Sequence, residues 1–167
     1  VTITVNPKAA KRFSLYVRVP DRTTSELYTS TPKVSGLKSL ALNGQAVDPK
    51  IDNGYAVINR EWKAGDTITL EVPMQVQRIT ADEKIQATRG KVALRYGPLI
   101  YNVETADQPD INQALGSDPL TTEWIGNLLE GVVVIRGKWA NGGVMTAIPN
   151  YARLNRPAQQ AGPESTP

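Results

Sequence analysis

With 167 residues the chain suits one medium domain or two small ones, and folding should bury about two thirds of the surface the unfolded chain exposes. It has neither cysteine nor histidine. That excludes disulfides, thiolate nucleophiles, iron–sulfur clusters and thiolate zinc sites, and it removes the one side chain that titrates unperturbed near neutrality. The 19 Lys and Arg against 16 Asp and Glu leave a net charge of +3, scattered without the clustered basic face that nucleic-acid binding needs.

The opening "VTITVNP" alternates like a strand and lacks the charged and apolar regions of a signal peptide. No apolar run approaches the roughly 20 residues of a membrane helix, so neither membrane nor nucleic acid is expected as a partner. In "RFSLYVRVP" Phe13, Leu15, Val17 and Val19 point one way and Ser14, Tyr16 and Arg18 the other, which predicts a half-buried antiparallel strand stopped by Pro20. In "DTITLEVP" Ile68, Leu70 and Val72 alternate with Thr67, Thr69 and Glu71 until Pro73 ends the ladder in the same way. Between the two, Asn43-Gly44 and Asn53-Gly54 are hairpin signals, because a type I′ turn needs positive φ at both central residues, and Gly65 suits a left-handed turn position. Short strands at this turn spacing argue for an all-β sandwich.

The stretch "KVALRYGPLIYNVE" holds two strand-like runs broken by Gly97-Pro98. The break predicts a sharp change of strand direction, with Val92 and Leu94 in one layer and Leu99 and Tyr101 in another. Residues 105 to 127 read as a long polar connection whose one helical hint is "LTTEWIGNLLEG". "GVVVIRGKW" carries a continuous apolar run, Val132 to Ile135, short enough for a strand buried on both faces, and "GVMTAIPNYA" predicts another strand ended by Pro149. The final "RPAQQAGPESTP" has nothing to bury and reads as a tail.

Paired carboxylates could serve as the acid and nucleophile of a glycosidase. Asp82-Glu83, Asp107 with Asp110, and Asp66 with Glu71 are the available pairs. Adjacent residues on an extended segment face opposite ways, the Asp107 pair lacks apolar neighbours to raise a pKa, and Asp66 in a tight turn typically holds backbone N–H groups. All three therefore read as surface or turn carboxylates. "DPKIDNG" offers Asp48, Asp52 and Asn53 in an arrangement too loose for a calcium loop. Trp62, Trp124 and Trp139, with Tyr55, Tyr96, Tyr101 and Tyr151, are the rings that could stack on sugars, against the plainer expectation that a sandwich core needs large residues. Arg95 and Tyr96, beside the Gly97-Pro98 break, are candidates for facing a neighbouring domain.

Taken in order, "FSLYVRVP", "ALNGQAV", "GYAVINREWKAGDTITLEVPM", "GKVALRYGPLIYNVE", "LLEGVVVIRG" and "AIPNYARLNR" resemble the segments that follow the catalytic barrel in the β-L-arabinofuranosidase-like enzymes of glycoside hydrolase family 127. The resemblance covers residues 1 to 156. It implies two small jelly-roll-like antiparallel sandwiches with little helix: a middle one over 1–88 lacking its first strands, a C-terminal one over 89–157, and a flexible tail over 158–167. "ADEKIQATRG" would be the linker or a connecting loop. Departures from the family pattern stand at Asp21 and Arg22, where a tryptophan follows the first motif, and at Asn150 and Arg153, which replace two aromatics.

The resemblance also implies where the chemistry is not. The family's nucleophilic cysteine, its glutamate and its zinc sit in an upstream (α/α)₆ barrel, so no catalytic residue, metal ligand or cofactor is expected in this chain. The implied role is support of that barrel, with the barrel of the same polypeptide, a second copy of the chain, and a plant-type arabinose-containing glycan as candidate partners. The polysaccharide-degrading context points to the periplasm or the outside of the cell. A carbohydrate-binding module and an immunoglobulin-like interaction module are the alternatives. Trp62, Arg95, Tyr96, Trp124, Trp139 and Tyr151 are the expected interdomain or carbohydrate contacts.

Overall fold

The computed structural model describes residues 1–21 and 25–155. Arg22 and the expected tail over 158–167 lie outside the described residues. The fold is all-β: the described residues form fourteen strands and two single turns of 3₁₀ helix, with every named strand pair antiparallel. The chain divides into two compact units, Val1–Gln75 and Val76 onward. The division falls ahead of the expected 88/89 boundary because the strand Val76–Ala81 pairs with Ala93–Tyr96, which makes "ADEKIQATRG" a connecting loop within the second unit.

The first unit contains β1 (Thr2–Val5), β2 (Lys11–Arg18), β3 (Tyr28–Thr31), β4 (Ser39–Leu42), β5 (Gln45–Ala46), β6 (Lys50–Asp52), β7 (Tyr55–Trp62) and β8 (Asp66–Glu71). One sheet has the order β1-β8-β4-β5 and the other β2-β7-β6. Leu40, Ile68 and Leu70 from the first sheet meet Val17, Ala56, Ile58 and Trp62 from the second in one buried cluster, with Phe13, Leu15 and Val19 packed against it. Each such large apolar side chain contributes about 1.5–3 kcal/mol of transfer free energy. The alternation of β2 and β8 is therefore the cause of the sandwich. Both Asn-Gly pairs close hairpins as expected, with φ of 49° and 80° at Asn43-Gly44 and 48° and 78° at Asn53-Gly54.

The second unit contains β9 (Val76–Ala81), β10 (Ala93–Tyr96), β11 (Leu99–Val103), β12 (Thr121–Ile125), β13 (Val132–Lys138) and β14 (Val144–Pro149), hydrogen-bonded in the order β12-β13-β14-β11-β10-β9. Both faces of this sheet carry core: Leu94, Tyr101, Ile135, Trp139, Met145 and Ala147 form one cluster, and Val132, Val134, Ile148 and Ala152 form another. The apolar run of β13 is thus buried on two sides, as its sequence predicts.

Two expectations are corrected. Gly97-Pro98 closes a two-residue hairpin, Tyr96 opposite Leu99 with φ +58° at Gly97, instead of handing the strand to another layer. Leu94 and Tyr101 consequently stand opposite one another and pack in one cluster. The helical hint at "LTTEWIGN" is a strand, β12, where Thr121, Thr122, Trp124 and Ile125 pair in register with Arg136 to Val132 and Glu123 binds Arg136 at 2.7 Å. Its β-branched and aromatic residues fit a sheet edge, and pairing with β13 overrides the local helical pattern.

Candidate functional site: a cavity in the second unit

A cavity of about 450 Å³ is lined wholly by residues of the second unit. One wall is the β10–β11 hairpin, through Ala93, Leu94, Tyr101 and Val103, with Gly90, Lys91 and Val92 leading into it. Opposite runs the segment Ile111 to Leu115, and Trp139 and Met145 complete the lining. The volume lies within the ordinary range of small-molecule sites.

The segment 111–115 is irregular, yet three devices hold it. Gln108 acts as a surrogate strand residue: its amide donates to the Glu104 and Thr146 carbonyls at 3.1 and 3.0 Å, and its Oε1 accepts from Thr146 N–H at 2.9 Å. Asp110 accepts from the Asn112 backbone N–H at 2.8 Å and from the Gln113 side chain at 3.0 Å, so it is a turn residue as its sequence context suggests. Leu115 bridges Trp139, and Gly116 lies so close to β13 that a Cβ would sit 2.8 Å from the Lys138 carbonyl oxygen. Gln108 was not legible as a site residue, because its partners are 38 positions away at Thr146.

Two aromatic side chains with polar atoms, Trp139 and Tyr101, belong to this wall. Trp139 is 7 % exposed and its buried indole N–H makes no hydrogen bond. Tyr101 is 5 % exposed, and burial, followed by the neighbouring phenols of Tyr151 and Tyr96, pushes its pKa up to about 12. Buried Trp and Tyr usually place their polar atom on an acceptor or donor.

The other expected contacts are spread apart. Trp62 is fully buried in the first unit, with its indole N–H donating to the Phe13 carbonyl at 3.1 Å and the Arg60 guanidinium 5.2 Å over its ring. Arg95 donates from Nε to Gln77 at 3.0 Å, while its buried Nη2 has no partner among the described residues. Tyr96 packs against the cluster that contains Tyr101. Tyr151 is exposed after β14, and Trp124 is 65 % exposed on β12, its ring lying over Gly131 where no Cβ would fit. With Trp62 and Trp139 buried in different clusters and Trp124 on a surface strand, the three tryptophans do not form a flat sugar platform.

Asp66, Glu71 and Asp82 serve the fold. Asp66 accepts from the Lys63 N–H and the Asn43 amide, each at 2.8 Å, and these bonds hold its pKa below the usual carboxylate value. Glu71 pairs with Lys38 at 2.7 Å on the surface, and Asp82 accepts from the Lys84 N–H at 2.8 Å in a turn. Among the described residues no carboxylate lines the cavity.

Comparison with known proteins fixes the relationship. Residues 1–74 match "Beta-L-arabinofuranosidase, GH127 middle domain", and residues 76–161 match "Glycoside hydrolase family 127 C-terminal domain". The chain belongs to glycoside hydrolase family 127. A non-reducing end β-L-arabinofuranosidase of Bifidobacterium longum subsp. longum is 36 % identical over 78 residues, which are 44 % of this chain and 11 % of that protein. The crystal structure of a family 127 β-L-arabinofuranosidase from Geobacillus stearothermophilus T6 superposes with a TM-score of 0.78 at 33 % identity, over 94 % of this chain and 27 % of that one. A second family 127 β-arabinofuranosidase shares the fold, with a TM-score of 0.75 at 23 % identity over 93 % of this chain. The chain thus spans about a tenth of the curated relative and about a quarter of the solved ones, and it comprises the middle and C-terminal domains of the family.

Proposed function

We propose that these two domains are the non-catalytic β-sandwich part of a β-L-arabinofuranosidase-type hydrolase and support a catalytic barrel in the same polypeptide. The observation that carries this reading is the match of residues 1–74 and 76–161 to the middle and C-terminal domains of the family; beside it, Asp66, Asp82 and Asp110 each hold a turn and Glu71 a surface ion pair. A glycosidase needs two carboxyl groups at roughly 5 to 9.5 Å across the scissile bond. The family's cysteine nucleophile, glutamate and zinc belong to the barrel in this reading. The residues present here do not fit that zinc site, for the sequence offers neither thiolate nor imidazole.

The finer partners follow from the same reading. An arabinose-containing glycan is the substrate of the whole enzyme, which works in the periplasm or outside the cell. A second copy of the chain would meet β12, the strand that ends the second unit's sheet and presents Trp124. The test assays the 167-residue chain and the same chain joined to its barrel on a chromogenic β-L-arabinofuranoside. Turnover is expected only in the joined form, and hydrolysis by the chain alone would overturn the reading. Sedimentation of the chain with and without Trp124→Ala tests the dimer.

A further inference from the structure

The chain carries three Asn-Gly pairs: Asn43-Gly44, Asn53-Gly54 and Asn141-Gly142. Asparagine is a heat-labile residue, and a following glycine makes it most reactive, because no side chain crowds the glycine nitrogen when it attacks. That backbone nitrogen adds to the side-chain amide carbon, ammonia leaves, and a cyclic imide forms. Water then opens the imide at either carbonyl and gives aspartate or isoaspartate. By sequence the three pairs are equivalent, since the same residue follows each asparagine.

The structure separates them, because attack requires a side chain free to turn and a glycine nitrogen free to approach it. Asn43 is tied at both side-chain polar atoms: Nδ2 donates to Asp66 at 2.8 Å and Oδ1 accepts from the Thr67 N–H at 2.7 Å. At the third pair, Asn141 Oδ1 accepts from the Gly143 N–H at 2.9 Å, and the Gly142 N–H is itself engaged with the Trp139 carbonyl at 2.9 Å. Asn53 differs from both. It is exposed, and neither its side chain nor the Gly54 N–H makes a hydrogen bond among the described residues.

The Asn53 turn also opens at small cost. The strand it closes, β6, ends the sheet β2-β7-β6, is three residues long and buries none of them. The Gly54 carbonyl is held by the Val19 N–H at 2.9 Å and by Arg18 Nη1 at 3.1 Å, and neither bond uses an atom that reacts.

We propose that Asn53 is a self-modification site: in the folded chain Asn53-Gly54 closes to the imide and hydrolyses to aspartate and isoaspartate ahead of both other pairs. Water is the co-reactant and ammonia the leaving group. Either product exchanges a neutral amide for a carboxylate. The isoaspartyl form also threads the main chain through the side-chain carbons, and the longer turn then cannot keep Asp52 opposite Tyr55. The reaction requires no partner surface and does not rest on the function proposed above.

The experiment incubates the 167-residue chain in mildly alkaline buffer, folded and in parallel in urea, and follows deamidation by tryptic mapping. Cleavage after Lys38, Lys50, Arg60, Lys138 and Arg153 places the pairs in separate peptides, 39–50, 51–60 and 139–153, and fragment ions distinguish Asn53 from Asn59. In urea the three pairs should react at comparable rates. In the folded chain each hydrogen bond that must open slows attack roughly fivefold, so Asn43 and Asn141 should lag Asn53 by about 25-fold. Equal rates in the folded chain, or an earlier reaction at Asn43 or Asn141, overturn the proposal. So does an Asn53 that persists in the folded chain while it reacts in urea. In the isoaspartyl fraction, separated chromatographically, the Tyr55 amide should lose its protection against hydrogen exchange; full protection there would show that the turn survives and would overturn the structural half of the proposal.

Discussion

Trp62 and Trp139 are both buried indoles at the centre of a hydrophobic cluster, one in each unit, yet their N–H groups differ in fate. Trp62 donates to the Phe13 carbonyl and sits in a unit whose turn acids and amides are mutually satisfied; Trp139 donates to nothing among the described residues and borders a cavity with a phenol beside it. The first unit is a closed structural piece, in which even the perturbed acid, Asp66, ties a turn to a neighbouring hairpin. The second has polar capacity left over at its core. Because a buried polar group without a partner carries a desolvation penalty, the two cores differ in how completely their polar atoms are satisfied.

The comparison can be broken first at its closed side. Trp62→Ala removes a fully buried ring and its hydrogen bond and should cost about 3–5 kcal/mol, unfolding the first unit in urea well before the second; a cooperative loss of both would deny their independence. Alkaline titration probes the open side. Folding raises the Tyr101 pKa to about 12 from about 10, so its stabilising effect is complete below pH 10 and is lost as pH rises towards 12. That loss amounts to about 2–3 kcal/mol in the wild type, and in Tyr101→Phe the stability should be flat over the same range.

Gln108→Ala leaves the Thr146 N–H and carbonyl unsatisfied and should destabilise the second unit by about 1–3 kcal/mol, read by denaturation and by loss of amide protection at Thr146. The sharpest contrast is the paired substitution to Phe. Trp62→Phe orphans the Phe13 carbonyl and should cost more than Trp139→Phe, which loses no hydrogen bond, by about 1 kcal/mol; equal costs would mean that the Trp139 N–H has a partner after all. The smallest effect lies at Asp66, whose depressed pKa stabilises the fold above the unfolded carboxylate value and withdraws that support as pH falls through the folded one. Asp66→Asn should flatten the acid limb of the stability curve.

Legibility follows the range of the interactions. The Asn43-Gly44 and Asn53-Gly54 hairpins, the alternation of β2 and β8, the buried run of β13 and the turn role of Asp66 are each encoded within a few residues, and the structure agrees with the sequence at all of them. What was misread depends on distant partners. β12 is a strand because β13 lies beside it, and β9 belongs to the second unit because β10 pairs with it. The hairpin at Gly97-Pro98 was legible as a break but not as a turn within one sheet, since only the pairing of Tyr96 with Leu99 decides that. The cavity is the least legible feature of all: its lining comes from three separate stretches, and Gln108, which holds one of them, looks like any loop glutamine.

The Gln108 clamp at one end and the Leu115–Trp139 bridge with Gly116 at the other have an engineering consequence. Between two fixed posts, residues 109–114 form a short arch, with Asp110 bracing its middle through Asn112 and Gln113. Such an arch is a replaceable panel: a library confined to positions 111–114 could reshape one side of the chamber while β10, β11, β13 and β14 keep their register. A lineage could change the shape of this chamber by the same route, without touching a single strand.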